Sequence, residues 1–229
     1  MNRILLEDPH CEVRINVNKR ARRFTLRLEP DGGAVVTVPP GVSTSETQMF
    51  LQRHCDWLRR ALAKRPERVF MQNGARLPVN GSEIALVVSP GKRKAPVLQG
   101  TTLVIQGEGL LGPRIAAWLK LRARDRLQPA AREYARKLGR RINGVSFRDT
   151  TSRWGSCSSR GNLSFSWRLA MAPVAVQDYV AAHEAAHLVE MNHSARYWAT
   201  LARIMPEYQV QRDWLKREGR GLHAYRFDV

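Results

Sequence analysis

His183-Glu184-Ala185-Ala186-His187, followed by Met191-Asn192-His193-Ser194, is the stretch that decides how this 229-residue chain is read. On a helix, residues i and i+4 lie one turn apart on the same face. His183 and His187 can therefore aim two imidazoles at one metal ion, and Glu184 can reach a water beside it. Two histidines for zinc and a glutamate as general base is the chemistry this spacing serves. Three of the chain's six histidines fall within eleven positions, which packing alone explains poorly. The plainer alternative is an amphipathic helix with two satisfied histidines.

The surroundings fit a helix. Pro173 is expected at its first position, and Val176, Tyr179, Val180, Leu188 and Val189 recur at helical spacing. A catalytic zinc site takes three protein ligands and keeps one open position. His183, His187 and His193 are the expected set, so the helix must end between His187 and His193. Met191-Asn192 is the expected exit, because Asn tolerates the left-handed conformation. Ser194 is expected to cap a further helix with the apolar stripe Tyr197, Trp198, Leu201, Ile204 and Met205. Glu190 and Cys157 are read as a solvated helix-end carboxylate and a small buried hydrophobe, with a place near the metal as the alternative for each.

A wider set of residues carries a family likeness. Arg153-Trp154-Gly155-Ser156-Cys157-Ser158, Gly161-Asn162-Leu163, Trp167-Arg168-Leu169, Tyr179-Val180 and the histidine cluster through Trp198 together resemble the YgjP-like metallopeptidases, which look related to SprT and WLM proteases. The close likeness covers about residues 150 to 220, and a looser one reaches back toward Val13. It implies an α+β, zincin-type peptidase fold with zinc on the three histidines. Metzincins share the second-to-third histidine spacing but place a glycine where this chain has Glu190, so the turn is expected to differ.

Composition narrows the setting. Lys and Arg number 38 against 20 acidic residues, a net charge of +18. That favours a polyanionic partner, most simply DNA bound without sequence specificity, against the alternative of solvated helix faces. Between Pro113 and Arg141 ten basic residues face only Asp125 and Glu133. Arg122, Arg126, Arg136, Lys137, Arg140 and Arg141 are the candidates for nucleic-acid contact. Smaller basic clusters are Lys19 to Arg23 and Lys92 to Lys94. Cys11, Cys55 and Cys157 are odd in number and far apart, which fits a reducing compartment. Without a long apolar run or a signal-like start, a cytoplasmic protein with no membrane partner is expected.

Along the chain, residues 1–110 read as a β-rich region with one helix and residues 111–229 as the metallopeptidase region, divided at the glycine-rich Gly107 to Pro113. Strands are expected at Glu12 to Val17, Phe24 to Leu28 and Ala34 to Val38, the last two joined by a hairpin turn at Pro30-Asp31-Gly32-Gly33. A helix capped by Ser43 or Ser45 runs to about Lys64. Val69 to Gln72, Arg76 to Val79, Ile84 to Val88 and Leu103 to Ile105 read as short strands, and no internal repeat is evident. A basic helix from Pro113 to about Leu138 is expected to kink or split at Pro129. Val145 to Thr151 and Leu163 to Leu169 read as a hairpin turning at Gly155 to Gly161. One of its arms is a candidate to pair with an extended substrate; the alternative is a plain support for the metal helix.

The expected reaction is hydrolysis of a protein or peptide substrate, with zinc activating a water and Glu184 moving its proton. Arg153, Trp154 and Tyr197 are the candidates for substrate or oxyanion contact, set against surface-charge and core-aromatic readings. His10 and His54 have no partner pattern, and His223 reads as a tail residue and not a ligand. DNA-associated or DNA-crosslinked proteins are a further substrate expectation, from charge and from the family likeness. The alternative function is a nucleic-acid-binding protein with a structural zinc or a latent peptidase.

Overall fold

The computed structural model describes residues 3–29, 33–63 and 67–228. The fold is α+β, with six α-helices and four small sheets among the described residues. The chain divides into two compact units, Met1–Glu67 and Arg68–Val229. The division therefore falls at 67/68 and not at 110/111. The reason is packing: Leu77, Leu86, Leu103 and Ile105 share one core with Ile115, Leu119 and the metal helix, so Gly107 to Pro113 is a turn inside a unit.

In the first unit, β1 (Arg3–Leu6), β2 (Cys11–Val17), β3 (Thr25–Leu28) and β4 (Ala34–Val38) form a sheet in the order β1-β2-β4-β3. The central pair β2–β4 is parallel and both outer pairs are antiparallel. The expected hairpin pairing of β3 with β4 is present; residues 30–32 of its turn lie outside the described residues. The helix expected to Lys64 is two helices, α1 (Thr44–Arg53) and α2 (Cys55–Ala63), and Lys64 itself lies outside the described residues. Ser43 begins α1 with a reciprocal capping box to Glu46. His54 breaks it: its Nδ1 lies 2.8 Å from the Phe50 carbonyl, the acceptor its own N–H would use in a helix. That N–H turns to Leu51 instead. Val13, Val36, Val38, Leu51 and Leu58 fill this unit's core.

The second unit opens with β5 (Val69–Phe70), then β6 (Arg76–Val79), β7 (Ser82–Ser89), β8 (Val97–Gln99) and β9 (Thr102–Gln106). The last four form a sheet in the order β6-β7-β9-β8, again with a parallel central pair and antiparallel outer pairs. The first unit's strand path is thus used twice, each time followed by a helix, although the sequence shows no repeat. The helix here is α3 (Leu111–Lys137), and Pro129 sits inside it without splitting it.

After α3 come β10 (Gly144–Arg148), β11 (Gly155–Cys157) and β12 (Asn162–Ser166), a 3-10 helix at Trp167–Met171, and α4 (Val174–Ala186). The expected hairpin of 145–151 with 163–169 does not form. β10 pairs parallel with β12, and β11 is the antiparallel partner through the Ser158–Gly161 turn. The sheet is therefore mixed, in the order β10-β12-β11, and β12 is paired on both sides. α5 (Ala195–Ile204), α6 (Tyr208–Glu218), a 3-10 helix at Gly219–His223 and β13 (Tyr225–Arg226) complete the unit. β13 pairs parallel with β5, bringing the unit's two ends together. No helix among the described residues is long and apolar enough to cross a membrane.

Candidate metal centre

α4 is buried on almost every side, and its alanines let α3 lie close along it. Pro173 is the N-cap residue and not the first helical one; its carbonyl accepts the amides of Val176 and Gln177. The Asn80-Gly81 turn braces this end. The Asn80 side chain accepts from the buried Gln177 amide at 2.9 Å, and the Asn80 and Gly81 amides donate to Ala170 and Met171. Asn80 and Gly81 both have positive φ, and a side chain at 81 would strike Pro173.

The helix ends at Ala186, so His187 is its C-cap. The amides of Leu188, Val189 and Glu190 fold back onto the carbonyls of Ala185 and Ala186, which turns the chain three residues before Asn192. Asn192 is not left-handed, so the exit expected there is made earlier by helix-end bonds. Ser194 caps α5 as expected, accepting the Tyr197 amide.

This turn returns His193 to α4. One ring nitrogen from each of His183, His187 and His193 lies within 4.8 Å of the others. His193 Nε2 and His183 Nε2 are 3.1 Å apart. A tetrahedral site with zinc–nitrogen bonds of the usual length has an edge of about 3.3 Å. His187 Nδ1 faces the Glu190 carbonyl at 3.0 Å, which leaves Nε2 for a ligand. Burial, then the other two imidazoles, push the His183 pKa down to about 3, and burial lowers that of His187. Neutral, converging imidazoles are the form that binds a metal ion. The residues present fit one.

Neither Cys157 nor Glu190 belongs to this ligand group among the described residues. Glu190 contributes through its backbone carbonyl. Burial, then the charge of Glu184, push the Cys157 thiol up to about 11. Glu184 is only 4% exposed. Burial raises its pKa to about 8, against the opposing charge of Arg153.

The three histidines and Glu184 open onto a cavity of about 390 Å³, whose other walls include Arg153 to Cys157 of the β11 segment, Tyr179, Met191 and Leu215. Arg153 is exposed and, among the described residues, is the only Lys or Arg in that lining. Trp154 is half-buried, stacked on His223 with ring centres 4.9 Å apart and packed against Gly219. His223, read from the sequence as a tail residue, is instead packed on Trp154 and supports the pocket wall. Tyr197 is fully buried and outside the lining; its hydroxyl donates to the His183 carbonyl at 3.0 Å, holding the end of α4 that carries His183.

The basic residues of α3 are not one free stripe. Arg114 is buried and donates to the carbonyls of Lys94, Gln106 and Gly107. Arg126 pairs with Asp178 and Arg136 with Glu133. Arg122 lies over the Trp118 ring and Lys137 over Tyr134. Arg140 and Arg141 are exposed beyond the helix end.

No curated protein and no solved structure matches the chain. A family model does: that of the YgjP-like metallopeptidase domain, over residues 22–218. With most of its length matched, and a three-histidine centre beside a buried glutamate, the chain belongs to the YgjP-like metallopeptidase family.

Proposed function

We propose that the protein is a zinc-dependent peptidase with Glu184 as general base and His183, His187 and His193 as metal ligands. The observation that carries this reading is the three-histidine group opening onto a cavity that also holds the Glu184 carboxylate. A closed structural site would take a fourth protein ligand, and none joins the group among the described residues. When bound, zinc would acidify a water and polarise the scissile carbonyl. Glu184 accepts the proton of the attacking water and returns it to the departing nitrogen. Arg153, the cation of the pocket wall, faces the charge that develops on the carbonyl oxygen.

The substrate backbone has a natural partner in β11, since β12 is already paired on both edges. Ser158 donates to Asn162 and Ser166 to Trp154, which makes 154, 156 and 158 the positions bonded inward to β12. The backbone groups of Gly155 and Cys157 therefore face the open edge, beside the cavity. An extended peptide would pair there.

Hydrolysis of an unstructured protein or peptide mixture, measured together with metal content in the parent and in Glu184→Gln, tests the reading. One zinc in each protein with hydrolysis in the parent alone is expected. A fully active Glu184→Gln overturns the role of Glu184.

A second reading makes DNA-associated proteins the substrate. It is supported by exposed Arg140, Arg141 and Arg160 at one end of the sheet that carries β11, where Asn143 binds the Arg160 and Gly161 carbonyls. Acceleration of cleavage by single- or double-stranded DNA is then expected, and its loss in a variant with all three arginines changed to Ala. No effect of DNA on cleavage removes this reading.

A further inference from the structure

Gly155 approaches Glu184 closely in the pocket wall. A methyl group at position 155 would lie 2.6 Å from Glu184 Cγ and 2.7 Å from Cδ, and closer still to Oε1. Gly155 is not in the left-handed region, so its backbone does not call for glycine. Space does. The overlap reaches Cγ and is not confined to the carboxylate tip, so relief requires the whole side chain to move. Any such movement takes the buried carboxylate from the place it holds beside the histidines in the cavity wall. Gly155 and Cys157 are two apart on one strand and share a face, and the Cys157 thiol feels the Glu184 charge, so this face of β11 is turned toward the carboxylate.

We infer that Gly155 is a positioning residue: the missing side chain at this point of β11 is the space in which the Glu184 carboxylate is held. In a strand, glycine gives up packing and conformational entropy, and here the vacated volume goes to the base. β11 then has two tasks at one residue, since the Gly155 backbone also faces the open edge. The catalytic arm of this inference rests on the reading of Glu184 as general base; the packing arm does not.

The test is a double-mutant cycle in the full-length protein with Gly155→Ala, Glu184→Ala and the two combined. Gly155→Ala is expected to lower kcat by about 100-fold, as misplacement of a reacting group by about 1 Å does, with KM changed less than about 3-fold. It is also expected to lower the melting temperature by roughly 4 °C or more, as overpacking of a tight site does. In the Glu184→Ala background, where the obstructing atoms are gone, most of that drop should vanish. An equal drop in both backgrounds overturns the inference, and so does a Gly155→Ala protein with parental kcat. Should Gly155→Ala alone fail to fold, a folded double variant supports the contact and an unfolded one overturns it. If the parent hydrolyses nothing, the peptidase reading fails, while the melting cycle still decides whether Gly155 makes room for Glu184.

Discussion

Removing the Arg168 guanidinium should cost the second unit far more than removing its acidic partner. Arg168 is buried; it donates twice to Asp149, at 2.7 and 3.1 Å, and to the carbonyls of Leu222 and Tyr225 at 3.1 and 2.9 Å. It also lies over the rings of Trp167 and Phe227. In Arg168→Met the two carbonyls lose charge-assisted bonds worth about 1.5–3 kcal/mol each. The Asp149 side chain is 44% exposed, so the ion pair adds at most about 1 kcal/mol. The ring contacts add about 0.5–1 kcal/mol. Allowing for non-additivity, the loss is about 4 kcal/mol, or roughly 8–16 °C in the melting temperature of a unit this size. Asp149→Ala should cost about 1 kcal/mol or less. Tryptophan fluorescence suits the measurement, because Trp154 stacks on His223 in the segment Arg168 holds. Equal costs for the two variants would refute the argument that the carbonyl bonds, and not the ion pair, anchor the C-terminal segment.

Other outcomes follow from the same geometry. Changing any one of His183, His187 or His193 to Ala should lower zinc content well below one equivalent, measured by elemental analysis, because two imidazoles hold zinc far less tightly than three. In metal-free protein, Glu184 binds its proton more tightly folded than unfolded, so its contribution is fully present below about pH 4.5 and is lost as pH rises toward about 8. The stability of Glu184→Gln relative to the parent should therefore grow across that window, as read from denaturant midpoints. Tyr197→Phe should cost about 1 kcal/mol in unfolding by denaturant, since it leaves the His183 carbonyl without its donor while hydrolysis persists. Ser43→Ala should cost about 1 kcal/mol in the melting of the first unit, through the capping box.

The centre was legible because its chemistry is local. His183, Glu184 and His187 are fixed relative to one another by helical spacing, and Ser194 signals the next helix three residues before its first buried aromatic. What closes the turn was less legible: the bonds of Leu188, Val189 and Glu190 leave no compositional mark, and Asn192 drew attention it does not need. Strand positions could be read from alternation, and the β3–β4 pairing from its turn residues, but the partner of β10 could not. Nothing in Val145 or Leu163 distinguishes parallel from antiparallel pairing, and a short loop between strands invites a hairpin reading. The unit boundary was misplaced because glycines at 107 and 109 mark a turn equally well inside a core or between cores. β1 and β8 are not among the strands read from the sequence. Gly155 lies within a motif legible in the sequence, but its use depends on Glu184, twenty-nine positions away, and only packing brings the two together.

The pairing of β5 with β13 has a consequence for synthesis. Val69 accompanies Tyr225 and its amide bonds the Ala224 carbonyl, so the strand that opens the second unit waits for nearly all the residues that follow. In the first unit the parallel pair joins Val13 to Ala34, and in the second unit's first sheet Ala85 to Thr102. Those sheets can form soon after they emerge from the ribosome, whereas the clasp forms only after residue 226 is made. The same late residues bring His223 against Trp154 and the carbonyls that bind Arg168. The pocket wall is thus among the last parts of the chain to be completed, and a nascent chain that has reached His193 holds all three histidines before it has a finished cleft.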